Sequence, residues 1–376
     1  MQVKQIYELV NGALQETLGT TVVLQEDLSN VVEMGNEVFN ASAAHIYSKN
    51  LINRIGKVNF EAYKYSGRAP SVFMDAWEYG SVRQKITFTL SNATENESWE
   101  LTDGASYDPN IFTEPKVEVK YFNGKTTFEV PISITEEMIK QSFASASELN
   151  ALVSGIFMYI ENTLTIATDN LIMRTINNFI GETIHDDNAN RCVKLITNYN
   201  AGHADDQVTL ENCMENPAFV RYMAYILKLY NSRMKVMSTL FNIGGKARFT
   251  TQDRMHLVML DVIKAASDIY LQSETFHNEL TALPSAEEVP YWQGSGATYA
   301  IGDISKINVK TSAGNTVEQA GVAAVLFDRY ALGVSCLNKR TTTNYNGKAE
   351  FTNYWFKQDA QYFNDTNENF VVFLLA

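Results

Sequence analysis

Five histidines, His45, His185, His203, His256 and His277, are the side chains of this chain best suited to bind a metal or move a proton near neutral pH. Two stand beside carboxylates, in His185-Asp186-Asp187 and His203-Ala204-Asp205-Asp206. Neither run supplies the second His or the Cys that would complete a metal site, and no HExxH spacing occurs. Both read as solvated loops, so no metal site is expected. Ser335 lies in Gly333-Val334-Ser335-Cys336-Leu337, which lacks the second glycine of a nucleophile elbow. Cys336, in the same apolar run, reads as an inert core thiol. Gly244-Gly245-Lys246 lacks the upstream glycine and the Ser or Thr of a phosphate loop. Gly294-Ser295-Gly296 lacks the third glycine and the strand-to-helix setting of a dinucleotide loop. The carboxylate pairs Glu136-Glu137 and Glu287-Glu288 are neighbours in sequence rather than groups facing across a cleft. A hydrolase using paired carboxylates remains the enzymatic alternative, with no residue singled out. The expectation is no catalytic residue and no cofactor.

The elements that would position a site matter more here. At 376 residues the chain can bury one large or two medium cores. Apolar residues make up 45% and charged residues 19%, a globular balance. The net charge of −13 opposes wrapping nucleic acid, which needs clustered Lys and Arg. Arg221, Lys228, Arg233 and Lys235 read as the solvated face of a helix. Three cysteines, none in a CxxC, argue against a disulfide framework and fit a reducing compartment. The opening MQVKQIYELV has no signal-peptide core. The apolar stretch 151–181 is interrupted by Glu161, Asp169 and Arg174, so no membrane span is expected.

Residues 1–65 read as weak helices in a polar arm, diluted by Gly12 and Gly19 and expected to lie against something else. From 66 to 133 the period falls to two. VRQKITFTL places Val82, Gln84, Ile86, Phe88 and Leu90 on one face. VEVKYF-NG-KTTFEV alternates on both sides of Asn123-Gly124, a pair suited to a type I′ hairpin turn. Between these runs lies an acidic, turn-rich tip, SNATENESWELTDGASYDPN. An isolated hairpin is barely stable in water, so it packs on its own domain or reaches for a neighbour. A long helix is expected from a cap at Ser147 to a stop at Gly181, roughly 50 Å at ~1.5 Å per residue. CVKLITNY reads as a strand, Asn216-Pro217 opens a second helix running to Leu240, HLVMLDVI reads as a buried strand, and KAASDIYLQSETFHNEL reads as a third helix. From residue 306 the chain is mostly strand, with a second Asn-Gly turn at 346–347. The whole is an α+β chain with a protrusion. FVVFLLA, at 370–376, is apolar on both sides of a strand and belongs inside a sheet covered on both faces.

The stretch GVAAVLFDRYALGVSCLNKRTTTNYNGKAEFTNYWFKQDAQYFNDTNENFVVFLLA resembles the end of tailed-phage major capsid proteins, above all in AVLFDRYALG and TNYWFKQDAQYFNDTNENFVVF. RFTTQDRMHLVML, AASDIYLQSETFHNEL and VPYWQGSG upstream are similar to the same family, so the likeness is contiguous over 248–376. Before that only the layout agrees. The resemblance implies a Hong Kong 97-type capsid fold: an N-terminal arm (1–65), an extended β-hairpin loop lying over an adjacent subunit (66–133), a peripheral domain with the long spine helix (134–205 and 340–376) and an axial domain (206–339). It implies a head protein that self-assembles, as hexamers and pentamers, into an icosahedral or prolate shell around double-stranded DNA, without sequence-specific DNA binding or a membrane. A separate scaffolding protein, a portal, assembly in the host cytoplasm and residence in the virion capsid follow from the same likeness. An encapsulin-like shell storing a cargo enzyme is the nearest alternative. Trp99, Tyr107 and Phe112, near the tip of the loop, are aromatic side chains better suited to an interface than to a monomer's surface. Tyr362, Phe363, Phe370, Val372, Phe373 and Leu374 are expected in the core of the peripheral domain, under the spine helix.

Overall fold

The computed structural model describes residues 3–19, 23–62, 67–74, 82–88, 95, 102–106, 108–110, 112, 114–272, 286–293 and 298–376. In chain order the principal elements begin with helices α1 (Val3–Leu18), α2 (Val31–Asn40) and α3 (Ala44–Ala62). Strands β1 (Arg83–Phe88), β2 (Val117–Phe122) and β3 (Lys125–Thr135) follow, then helices α4 (Glu136–Ser142) and α5 (Ala146–Asp186). Next come β4 (Cys192–Lys194), α6 (Leu195–Gly202), α7 (Pro217–Arg233), β5 (Met255–Leu260), α8 (Asp261–Gln272) and β6 (Ala286–Val289). The chain closes with β7 (Ile307–Lys310), β8 (Thr316–Gln319), β9 (Val322–Asp328), β10 (Leu332–Asn346), β11 (Phe351–Asn364) and β12 (Phe370–Leu374). Two compact units result. One holds Met1–Ala76, Lys125–Ile176 and Gly333–Gln361, the other Trp77–Gly124, Asn177–Leu332 and Tyr362–Ala376.

In the first unit β3 pairs antiparallel with β11, from Phe351 opposite Thr135 to Gln361 opposite Lys125, and β10 lies on the other side of β11. Tyr354 and Phe356 of β11 and Val130 and Ile134 of β3 face a core shared with Leu149, Val153, Ile160 and Leu164 of α5. Helices α1 to α3 supply Val10, Leu14, Tyr47, Leu51 and Ile52 to the same core. Helices α1 to α3 are therefore core helices of this unit, and the segment does lie against something else, as expected. Glycine lowers their intrinsic propensity, but packing of the apolar stripe decides helix stability in a folded protein. Ser145, not Ser147, caps α5, its hydroxyl accepting from the Glu148 N–H at 3.2 Å. Among the described residues, α5 alone is long and apolar enough to cross a membrane. One of its stripes lies in the core just described.

Asp359 cross-links the three strands of this sheet. Its carboxylate accepts from Thr127 Oγ1 at 2.6 Å and Asn338 Nδ2 at 3.3 Å, and pairs with Lys125 Nζ at 3.3 Å and Arg340 Nη1 at 3.1 Å. Burial alone would raise its pKa; the Thr127, Arg340, Lys125 and Asn338 donors outweigh that and hold it well below the ordinary 3.8. A depressed folded-state pKa gives stability that is present above the unfolded value and lost as pH falls through the folded one. Below about pH 4, the melting temperature of the unassembled chain is therefore expected to fall less steeply in Asp359→Asn than in the parent. Identical slopes would show that this carboxylate does not hold the sheet through its charge.

In the second unit five strands run in the order β4-β12-β9-β5-β6. Strand β12 is interior, parallel to β4 and antiparallel to β9. Phe370 to Leu375 are each 2% exposed or less. Phe370 stacks on Phe179 of α5 with ring centroids 4.0 Å apart, and Phe373 meets Tyr230 edge-on at 5.4 Å. The expectation that this strand is buried on both faces and meets the long helix holds. The expectation that it pairs within residues 134–205 and 340–376 holds on one side, where β4 lies, while its other neighbour β9 comes from the stretch expected to be axial. Two-sided apolarity reports an interior strand but is silent on which sheet receives it.

Other boundaries also move. Gly181 does not stop α5, which runs to Asp186. A Cβ there would meet Val309 Cγ2 at 2.4 Å, so the glycine serves close packing rather than termination. Only Cys192–Lys194 of CVKLITNY is strand, and α6 follows at once. Helix α7 is capped as expected, Asn216 Oδ1 accepting from the N–H groups of Ala218 and Phe219 at 2.9 and 3.1 Å, but it ends at Arg233. Strands β2 and β3 do not form a hairpin across Asn123-Gly124. Strand β2 pairs with β1 and β3 with β11, so alternation identified both strands and mistook their partners.

Candidate assembly surface

Strands β1 and β2 form a two-stranded antiparallel ribbon belonging to the second unit. Its register sets Arg83 opposite Phe122, Lys85 opposite Lys120 and Thr87 opposite Glu118 on one face. Gln84 opposite Tyr121, Ile86 opposite Val119 and Phe88 opposite Val117 make the other. A sheet with one covered face turns its apolar side chains inward. This ribbon does the reverse. The charged face is half-buried. Ile86, Phe88, Val117, Val119 and Tyr121 are 44–66% exposed.

The covered face is held by ions. Lys85 Nζ donates to Asp365 Oδ2 at 2.6 Å and to Glu368 Oε1 at 2.8 Å, and Lys120 Nζ donates to Asp365 Oδ1 at 2.9 Å. Lys246 Nζ pairs with Glu118, and Arg248 Nε lies 3.5 Å from Glu368. Two lysines opposite each other on a ribbon repel. The Asp365 carboxylate, 2% exposed, bridges them. Burial would raise the Asp365 pKa, but Lys85, Lys120 and the Asn367 N–H bring it below the usual range. Phe363 adds an apolar contact, with Phe122 5.2 Å away and the Arg83 guanidinium 4.1 Å over its ring.

The first unit carries an unfilled apolar groove of about 450 Å³ between β3 and α5, lined by Pro131, Ile132, Leu152, Gly155, Ile156 and Tyr159. A Cβ built on Gly155 meets nothing within 4 Å. On α5, Met158, Tyr159 and Ile166 are 50–62% exposed.

The two His-carboxylate runs first considered for chemistry are engaged structurally, while His277 and Gly294-Ser295-Gly296 lie outside the described residues. Asp186 pairs with Arg191 at 2.6 Å and Asp187 with Lys194 at 3.0 Å, while His185 Nε2 lies 3.1 Å from Asn315 Nδ2. Asp206 accepts from the Tyr199 hydroxyl at 2.6 Å. His203 stacks on Tyr199 at 4.1 Å. Burial, then the Asp206 bond, pushes the Tyr199 pKa up to about 12. Burial raises all three thiols, Cys192 and Cys213 to about 11. Among the described residues no three His, Cys, Asp or Glu side chains gather as a metal site would require.

Of the aromatic residues expected at an interface, Trp99 and Tyr107 lie outside the described residues, and Phe112 is 86% exposed. Of the expected core set, Phe363, Phe370, Val372, Phe373 and Leu374 are buried and Tyr362 is half-buried, all in the second unit. The ribbon's outer face was present in the sequence as alternation. Nothing local told which of its two faces would be covered.

This mixed helix-and-sheet chain has the Hong Kong 97-type fold of phage capsid subunits. It superposes on a chain of the capsid structure of Staphylococcus phage Andhra with a TM-score of 0.50 at 8% identity, covering 81% of this chain and 83% of that one. A chain from the structure of the head fibre and inner core protein of native bacteriophage P68 gives a TM-score of 0.53 at 9% identity, covering 83% and 85%. Residues 8–374 match the family model of the Phi29-like phage major capsid protein, and the chain belongs to that family. No curated protein matches it. It is a structural subunit of a phage head, assembling with copies of itself into the virion shell. The cargo-storing shell and the hydrolase find no support in these comparisons.

Proposed function

We propose that the exposed apolar face of the β1–β2 ribbon is the contact by which one subunit holds the next, and that it lies across the groove between β3 and α5 of a neighbouring copy. The observation carrying this is the ribbon's inversion: Ile86, Phe88 and Val119 face outward while Lys85 and Lys120 face the subunit's own body. Exposed apolar patches of this kind mark interaction sites. The groove is lined by apolar side chains, so neither surface would bury an unpaired charge on meeting the other.

In this reading Trp99, Tyr107 and Phe112 extend the contact beyond the strands. The unit holding most of α5 takes the peripheral place in each capsomer, and the unit of the five-stranded sheet takes the axial place. Hexamers and pentamers, a separate scaffolding protein, a portal and assembly in the host cytoplasm complete the proposal, resting on the family. The packaged DNA is enclosed without sequence-specific contacts, in keeping with a net charge of −13. The subunit performs no catalysis. Each contact can be weak, because closure makes many of them act together.

Electron microscopy of the chain, expressed alone and together with neighbouring genes from its source, tests this. Closed shells or capsomer rings are expected in at least one sample. Uniform monomers in both would overturn the proposal.

A further inference from the structure

The inverted ribbon raises a question its outer face does not answer: what keeps it in one pose. A ribbon lying on its apolar face is held by exclusion of water, which added salt does not weaken. This ribbon lies on charges. Among the described residues, ion pairs join it to the rest of the second unit from Lys85 to Asp365 and Glu368, from Lys120 to Asp365, and from Glu118 to Lys246. Those of Lys85 and Lys120 converge on the turn that follows β11, where Asp365 is fixed by its own backbone N–H on the Ala331 carbonyl at 2.6 Å and by the Asn367 N–H on its side chain at 3.1 Å. The turn is rigid and the ribbon is the guest. Lys85 and Lys120 also face each other across the two strands, so the pairing of β1 with β2 at this point depends on the carboxylate between them.

We infer that Lys85, Lys120, Asp365 and Glu368 are positioning residues for assembly: an electrostatic latch fixes the angle at which the ribbon presents its apolar face. This rests on the ribbon being the intersubunit contact. Lys85 and Lys120 stand on the two-stranded ribbon and not in the five-stranded sheet, so removing their charges is expected to free the ribbon and leave that sheet folded. Screening lengths fall from about 10 Å at 0.1 M salt to about 3 Å at 1 M. Lys120, Lys246 and Glu118, 35–37% exposed, feel this screening, so ionic strength shifts how much of the population holds the ribbon in the assembly-ready pose.

The test uses the full-length, unassembled chain and the double variants Lys85→Gln/Lys120→Gln and Lys85→Arg/Lys120→Arg. Hydrogen exchange is followed at the amides of β1 and β2, with those of β12 as the internal control, and shell yield is scored by electron microscopy. Exchange in the ribbon is expected to rise about tenfold in the Gln variant, the order set by losing three pairs whose lysines are 16% and 37% exposed. Exchange in β12 stays unchanged. Shell yield falls with the loosened ribbon, the Arg variant restores both readouts, and 1 M salt loosens the ribbon of the parent. Parent-like ribbon exchange in the Gln variant would overturn the latch. Loosened exchange with parent-like shell yield would overturn its positioning role. Should the Gln variant lose β12 protection as well, the parent decides: ribbon exchange that is the same at 0.1 and 1 M salt refutes the latch. Outer-face variants keep the two ideas apart. If Ile86→Asp/Phe88→Asp closes shells normally, the ribbon is not the contact. If it blocks closure while the Gln variant behaves as the parent, the contact stands and the latch falls.

Discussion

A chain lacking residues 370–376 is expected to lose cooperative folding of its second unit and to accumulate as insoluble protein. Strand β12 lies between β4 and β9, so its removal splits the sheet instead of trimming an edge. Phe370, Val371, Val372, Phe373, Leu374 and Leu375 are all buried. At about 1.5–3 kcal/mol for each large apolar side chain taken out of water, their loss matches or exceeds a whole domain's net stability of about 5–15 kcal/mol. The backbone loses as well. Phe370 N–H donates to the Phe241 carbonyl at 2.8 Å, Val372 N–H to Arg191 at 2.7 Å, and Leu375 N–H to Gly321 at 2.6 Å. Gly321 has φ +82°, and a Cβ there would lie 2.6 Å from the Leu375 carbonyl oxygen, so the chain passes that point in close contact. Thermal unfolding followed by circular dichroism checks the outcome. A truncated chain that stays soluble and keeps the parent's transition would show that β12 is dispensable. The milder Val372→Asp, which buries a charge at a fully covered position, should fail in the same way.

What the sequence discloses follows from the range over which each signal acts. Caps and strand periods are local, and they are legible: Asn216 with Pro217 opens α7, and the alternation in 83–88 and 117–122 marks two strands. The buried character of 370–375 is legible too, because six apolar residues in succession fit only a strand covered twice. Pairing is not local. The Asn123-Gly124 dipeptide is the stronger turn signal, yet Val117–Phe122 pairs across the long excursion with Arg83–Phe88. The reason lies far along the chain, in the turn at 365–368 whose carboxylates neutralise Lys85 and Lys120. The same distance hides the site. Ile86 and Phe88 read as the inward face of an ordinary strand until Asp365 and Glu368 claim the opposite side. The N-terminal helices read as weak for a related reason: their stripe becomes core only once β3, β11 and α5 are present to receive it.

Charges placed on the outer face of the ribbon should abolish shell closure and leave the subunit intact. Ile86 and Phe88 are 56% and 60% exposed, so Ile86→Asp/Phe88→Asp exposes its carboxylates to water in the free chain and costs little stability there. In a shell the same carboxylates would enter an apolar groove without a partner, a cost of several kcal/mol per contact. Every subunit makes the contact, so the penalty repeats around the shell and closure fails even where a single contact would survive. The groove permits the reciprocal experiment. Nothing stands within 4 Å of a Cβ on Gly155, and replacing a helix glycine removes an unfavourable residue from α5. Gly155→Phe is therefore expected to fold at least as well as the parent while its ring occupies the space meant for the neighbour. Both variants should give soluble subunits with parent-like melting and no closed particles by electron microscopy and sedimentation. Normal shells from the ribbon variant would remove the ribbon from the interface. Normal shells from Gly155→Phe alone would keep the ribbon as the contact and place its acceptor elsewhere on the neighbouring copy.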